Sequence, residues 1–247
     1  MPKFFVTSDT HSYYTPLKKA LDEKGFDPNN KDHWLIVCGD AFDRGEESKE
    51  VLHFLMSLER KILVKGNHDT LLEECCMRKF YYSHDVSNGT KKTICDIGEA
   101  GYGRPFEECC QITWNKLARY RELLVNYFET QKYIFVHSWI PIISQNGSYY
   151  QYNYGWRIAT DDRWEEAMWG NPFDMHLLNL NQTGKTIVFG HWHCSTGHKM
   201  LSHCNDEFDG DAIWEPCYAE GIIGIDRCTA YTGEVNVIVL EDEFLEG

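Results

Sequence analysis

Short polar clusters recur along this 247-residue chain, each preceded by an apolar run. In order they are Asp9-Thr10-His11, Gly39-Asp40-Ala41-Phe42-Asp43-Arg44-Gly45, Gly66-Asn67-His68-Asp69, His137-Ser138 and Gly190-His191. Their carboxylate, carboxamide and imidazole groups offer mixed oxygen and nitrogen donors. Such a set suits manganese, iron or zinc better than calcium or magnesium alone. A carboxylate shared by two ions holds them ~3.5–4 Å apart, and the pair activates a bridging water and clamps both oxygens of an in-line phosphoryl displacement. Arg44 adds a planar fork for phosphate oxygens. Any one cluster reads as an ordinary turn after a strand; all of them in register point to a metal site.

Strands sharing one carboxyl-terminal rim would bring these groups together, because ligands of α/β sheets sit beyond that end. Apolar runs predict strands over 3–8, 34–38, 61–65, 132–136 and 185–189. Helical spacing covers 16–24, stopping at Gly25, and 46–60, with Val51, Leu52, Leu55 and Leu58 on one face. From 69 to 128 the pattern is mostly helical, with loops expected at 83–93 and 98–105. A helix over 111–128 would carry Ile112, Leu117, Tyr120, Leu124 and Phe128 as its stripe. The stretch of about 70–130 reads as a cap-like insertion in a single domain spanning 1–247. Residues 145–174 read as a long loop region, and 221–226 with 234–240 as a closing hairpin turning at Thr232-Gly233. Strands alternating with helices give the α/β class.

Composition narrows the partners. Lys and Arg number 24 against 38 Asp and Glu, a net charge of −14. An acidic surface repels nucleic-acid polymers and anionic membranes, although bound divalent ions can build a cationic site inside it. No apolar run approaches the ~18 residues of a membrane span. The start is too short and polar for a secretion signal, so a cytoplasmic location and free thiols are expected for the 10 cysteines.

The ordered set D-x-H, G-D-x-x-D-R-G, G-N-H-D, a later His and a Gly-His resembles the PPP-type group of calcineurin-like metallophosphoesterases. That group includes phage and bacterial serine/threonine phosphatases and symmetrical dinucleoside-tetraphosphatases. Asn88-Gly89 with Thr93 resembles its cap segment, and Ile225-Asp226-Arg227-Cys228 through Gly233 to Leu240 its final hairpin. The resemblance runs from about residue 3 to about residue 241. It implies a β-sandwich flanked by helices, with a helical or loop cap, and two divalent metal ions, manganese foremost with iron or zinc as alternatives. Asp9, His11 and Asp40 would hold the first ion; Asp40 would bridge to a second held by Asn67, His137 and His191. His68 would protonate the leaving oxygen, oriented by Asp43, while Arg44 binds phosphate. Asn67, Lys65 and His193 would add substrate contacts.

The activity implied is attack by a metal-bridging hydroxide on a phosphomonoester, foremost phosphoserine or phosphothreonine in a protein. The alternative is a dinucleoside tetraphosphate or other small phosphoester. A third reading, from another class, is a non-catalytic binding module on the same scaffold; such a module should have lost ligands, and none is missing here. The sequence departs from the group in three places. Lys65 stands where Arg is usual, Asp69 where Glu is usual, and Trp169-Gly170-Asn171 lacks the cap arginine, for which Arg157 or Arg163 are candidates. Two decoys are set aside. Gly184-Lys185-Thr186 precedes a strand, whereas a P-loop follows one. His193, Cys194, His198, His203 and Cys204 are zinc-ligand types, yet the whole-chain pattern claims only His191 from that run. The aromatic cluster Trp139, Tyr149, Tyr150, Tyr152, Tyr154 and Trp156 is expected to pack or to line the substrate groove.

Overall fold

Residue alternation along the first strand sets the layering. In the computed structural model, which describes residues 1–145, 149–202 and 210–245, Phe4 and Val6 pack with Ile36, Cys38, Phe135 and Val188. Phe5 faces the other way, joining Leu35, Val37 and a layer of helices. Successive side chains of a strand point to opposite faces, so one apolar run serves two cores.

The elements in chain order are β1 (Lys3–Thr7), α1 (Tyr14–Glu23), β2 (His33–Cys38), α2 (Ser48–Ser57), β3 (Lys61–Val64), α3 (Asn67–Arg78), α4 (Ser83–Ser87), α5 (Thr90–Ile97), α6 (Phe106–Lys116), α7 (Ala118–Leu123), β4 (Leu124–Val125), β5 (Phe128–Glu129) and β6 (Tyr133–Phe135). Then come β7 (Ile143–Gln145), β8 (Tyr149–Gln151), α8 (Asp161–Ala167), α9 (Pro172–Leu177), β9 (Thr186–His193), α10 (Cys194–Ser202), β10 (Cys217–Ala219), β11 (Ile222–Asp226), α11 (Thr229–Thr232) and β12 (Ile238–Glu241). One five-stranded sheet has the order β12-β1-β2-β3-β4; the other runs β10-β11-β9-β6-β5. Within them β1, β2, β3 and β4 are parallel, as are β6, β9 and β11. The sheets face each other across the cluster that holds Phe4 and Val188. Helices α2, α3, α5 and α6 cover the outer face of the first sheet, and Trp156, Trp164 and Phe173 lie over the outer face of the second. This is a mixed α/β sandwich flanked by helices.

Four sequence expectations need correction. Residues 83–93 are not a loop: they contain α4 and the start of α5. Thr90, Thr93, Ile94 and Ile97 bury one face of α5 at helical spacing, and two threonines in that stripe mask the apolar period. The helix expected over 111–128 begins earlier, at Phe106, and ends at Leu123. Leu124 leaves it to pair with Leu63, and Phe128 pairs with Phe135. The stretch 145–174 holds β8, α8 and part of α9 rather than a long loop. The closing hairpin does not exist, since β11 and β12 lie in different sheets. Thr232 ends α11 instead, and Gly233 caps it with φ +69, a backbone that glycine adopts without steric cost. The hairpin partner of β11 is β10. All nine described cysteines are free.

The ring of Phe4 is fully buried and sits 6.2, 6.2 and 5.5 Å from those of Phe128, Phe135 and Phe244. Truncating Phe4→Ala should cost roughly 3–5 kcal/mol in urea denaturation. Ile158→Ala, at 89% exposure, should stay within about 0.5 kcal/mol of the parent.

Candidate metal centre

Strand ends β1, β2, β3, β6 and β9 deliver Asp9, Asp40, Asn67, His137 and His191 to one rim. Asp9, His11, Asp40, Asn67, His68 and His137 are all buried. One donor atom each from His11, Asp40 and His68 lies within 4.8 Å of the others, and the same holds for Asp40, His137 and His191. Asp40 belongs to both triads. The first triad contains His68 where the sequence reading placed Asp9; the Asp9 carboxylate stands 4.0 Å from His11 Nε2. Asn67 Oδ1 lies 2.7 Å from His137 Nε2, beside the second triad.

The backbone makes room for this cluster at specific glycines. A Cβ at Gly190 would stand 2.0 Å from Asp9 Oδ2, one at Gly66 2.1 Å from Asp40 Oδ1, and one at Gly39 2.2 Å from His137 Nδ1. The residues after the strands are strained as well. Asp9, His11, Asp40, Asp43, Arg44 and His191 have φ of +47, +46, +52, +75, +62 and +64. Non-glycine residues in that region cost of order 1–3 kcal/mol each and persist where the surroundings over-determine them.

Hydrogen bonds fix which imidazole nitrogen faces the cluster. His11 Nδ1 pairs with the Phe42 carbonyl at 2.9 Å, and His137 Nδ1 with the Cys38 carbonyl at 3.0 Å. A carbonyl only accepts, so each Nδ1 carries the proton and Nε2 turns inward. The Asp9 carboxylate accepts the His191 N–H at 2.9 Å, and Asp40 accepts the His68 N–H at the start of α3 at 3.0 Å. His68 Nδ1 donates to Asp43 Oδ2 at 2.8 Å.

Charge distribution follows burial and crowding. Burial works to raise the Asp40 carboxyl, but His137, His68, His11 and His191 around it draw it well below the usual carboxylate range. Burial, then the charge of Asp226, pushes Asp9 up to about 8. Burial, then Arg44, holds His11 down; burial, then His137, takes His191 to about 3. For His68 burial acts downward, yet Asp40 and Asp43 carry it above its ordinary value. An anionic Asp40 flanked by neutral His11 and His191 is in the donor form a cation requires. The two donor groups, with Asp40 common to both, fit two divalent ions.

The remaining candidates lie around this centre. Arg44 is exposed, and its charge is felt at His11, His68, His191 and Asp226. His193 Nε2 stands 4.0 Å from Asp226 Oδ2. Lys65 lies 3.9 Å from Glu165. Arg157 forms a bidentate pair with Glu129 at 2.8 and 2.7 Å, and Arg163 pairs with Glu166 at 2.6 Å. Lys185 of the P-loop decoy meets Glu129 at 2.8 Å. In the zinc-type run, His198 contacts the Glu215 carbonyl and the Cys194 thiol donates to the Gly224 carbonyl; His203 and Cys204 lie outside the described residues. Trp139, Tyr152 and Trp156 are buried, whereas Tyr150 and Tyr154 are exposed.

Sequence reasoning passed over two site residues. Asp226, 3% exposed, faces Asp9 from β11; its order in the chain, behind a fully buried strand, was the available signal. Trp169 is exposed with its ring edge-on to His191 at 6.1 Å, and nothing in its spacing announces that.

The chain belongs to the calcineurin-like phosphoesterase family, which matches residues 2–225. It is similar to the symmetrical bis(5'-nucleosyl)-tetraphosphatase of Erwinia tasmaniensis, at 31% identity over 137 residues, 55% of this chain and 44% of that protein. The protein of the same name from Thioalkalivibrio sulfidiphilus is 41% identical over 66 residues, 26% of this chain and 24% of that one. The matched stretch thus spans less than half the length of these curated relatives. A cold-active protein-tyrosine phosphatase of a Shewanella species has the same fold, with a TM-score of 0.57 at 16% identity over 98% of this chain and 76% of that one. Family and site together define a metal-dependent hydrolase.

Because only Asp40 joins both triads, His11→Ala should reduce the bound metal from two ions per chain to one, while Asp40→Asn should lower occupancy at both positions. Elemental analysis after dialysis against a divalent ion reads this directly. Gly190→Ala should displace Asp9, lower metal content and destabilise the fold by about 1–3 kcal/mol, measured by thermal unfolding.

Proposed function

We propose that this protein hydrolyses a dinucleoside polyphosphate or a related small nucleotide phosphoester as one domain, with residues of about 70–130 acting as a cap. The observation that carries the reading is a cavity of about 250 Å³ whose wall includes Trp169, the neighbour of His191. Trp139, Ile140, Tyr150, Trp169 and Met175 form its apolar wall, with the Arg163–Glu166 pair at one side, and Trp169 links it to His191. A flat aromatic group such as a nucleobase fits apolar walls of this kind. The names of the two curated relatives support the same substrate class.

Two divalent cations, when bound, activate the attacking water and neutralise phosphate charge. Asp9, His11 and Asp40 would hold one, and Asp40, Asn67, His137 and His191 the other; manganese is the first candidate, then iron or zinc. Arg44 binds a phosphate oxygen from the open side of the site and offsets charge that builds in the transition state. Asn67, Lys65 and His193 are proposed as further substrate contacts. His68 donates its Nε2 proton to the leaving oxygen, and Asp43 keeps its Nδ1 protonated and its ring aimed.

A second reading is a serine/threonine protein phosphatase. The exposure of Arg44 favours it, since a bulky phosphoprotein reaches an open guanidinium. Metal-stripped protein, reloaded with manganese, iron, zinc or magnesium, should be offered a dinucleoside tetraphosphate and a phosphothreonine peptide side by side. Faster turnover of the dinucleotide is expected, and Trp169→Ala should raise its KM without changing that of the peptide. The reverse preference would replace the first reading by the second. His68→Asn should keep both metals and lose roughly 10²–10⁴-fold in kcat.

A further inference from the structure

The helical segment between β3 and β4 reaches directly into the proton-donating pair. Thr90 Oγ1, on the first turn of α5, donates to Asp43 Oδ2 at 2.6 Å. That oxygen already accepts the Nδ1 proton of His68 at 2.8 Å. One turn further on, Thr93 Oγ1 accepts the backbone N–H of Asp43 at 3.0 Å. Both threonines are fully buried. The residue before them, Gly89, has φ +88, and a Cβ there would stand 2.1 Å from the Arg44 nitrogen. Helix α5 therefore packs its amino-terminal end against the backbone of Asp43 and Arg44.

Among the described residues, no other hydroxyl anchors the Asp43 carboxylate. Its second oxygen, Oδ1, is buried and finds no hydrogen-bond partner among the described residues. Without the Thr90 hydroxyl, the two oxygens would compete on nearly equal terms for His68, and the imidazole would lose its fixed direction. A hydroxyl that selects one oxygen removes this freedom, and displacement of a catalytic group by about 1 Å can cost ~10²-fold in rate.

We propose that Thr90 is a positioning residue of the hydrolysis: through Asp43 it aims His68 Nε2 at the leaving oxygen, so that helix α5 is part of the proton-donating apparatus. The inference rests on the assignment of His68 as the acid. In that step the oxygen of an attacking hydroxide bonds to phosphorus, the bond between phosphorus and the leaving oxygen breaks with its electron pair staying on that oxygen, and the proton passes to it from His68 Nε2. A weakly basic leaving group departs without the proton, and a more basic one needs it.

The test compares Thr90→Val, Thr90→Ser and His68→Asn with the parent on 4-nitrophenyl phosphate and phenyl phosphate, all loaded with the same metal. Thr90→Val should lose about 10–100-fold in kcat on phenyl phosphate and under about threefold on the nitrophenyl ester, with KM unchanged. Thr90→Ser should recover most of the loss. In metal-free protein, the Nδ1–H resonance of His68 should shift or broaden in Thr90→Val and return in Thr90→Ser. Equal losses on the two esters, or an unmoved resonance, would overturn the proposal. If His68→Asn shows the leaving-group dependence and Thr90→Val does not, the role of Thr90 falls alone. If His68→Asn shows none, the acid assignment falls and the proposal with it. Should Thr90→Val fail to fold, Thr90→Ala provides the same comparison.

Discussion

Two carboxylates, Asp9 and Asp40, are buried beside one another at the rim where two β-sheets meet. An ion stripped of water costs several kcal/mol unless opposite charge or hydrogen bonds replace the water. The protein meets this constraint partly by itself. Backbone N–H groups of His191 and His68 point at the carboxylates, and four imidazoles ring Asp40. The residual cost on Asp9 is visible in a carboxyl pushed up to about 8. Divalent cations between these groups would offset that cost.

The strands and glycines follow from that need. Parallel strands in both sheets bring their carboxyl ends to one side, so residues far apart in the chain meet there. Left-handed backbone at Asp9, His11, Asp40 and His191 turns these groups inward, and glycines keep the opposite wall clear. Strained residues of this kind need rigid supports. The strands leading to Asp9 and Asp40 are apolar on both faces, one filling the space between the sheets and the other the helical layer. Packing on both sides leaves the strand ends little freedom to relax.

Under the proposed function, charge and shape together would direct a phosphate to this centre. The chain carries a net charge of −14, which opposes the approach of any polyanion. Bound cations would reverse the potential locally, and the exposed Arg44 would extend the positive region toward solvent. The cavity next to Trp169 then offers an apolar surface for whatever the phosphate is attached to. Helix α5 closes the other side, where it touches Asp43 and Arg44 together. On the roles proposed for His68 and Arg44, proton donation and phosphate binding would both depend on one helical segment.

The sequence by itself determined the ligand types, their order and their placement after apolar runs, because a strand end followed by Gly-Asp, Gly-Asn or Gly-His is a local pattern. It also carried the α/β class and, through the family resemblance, the expectation of a β-sandwich. Tertiary structure alone decided what depends on contacts distant in sequence. Thr90 meets Asp43 across 47 residues, and no periodicity signals a hydroxyl bonded to a buried carboxylate. Strands β11 and β12 separate into different sheets because each finds its partner elsewhere, β9 for one and β1 for the other. The grouping of His68 with His11 and Asp40 likewise comes from the start of α3 lying against the end of β2. Local propensity fixes which groups a segment presents; the packing of one segment on another fixes which groups share a space.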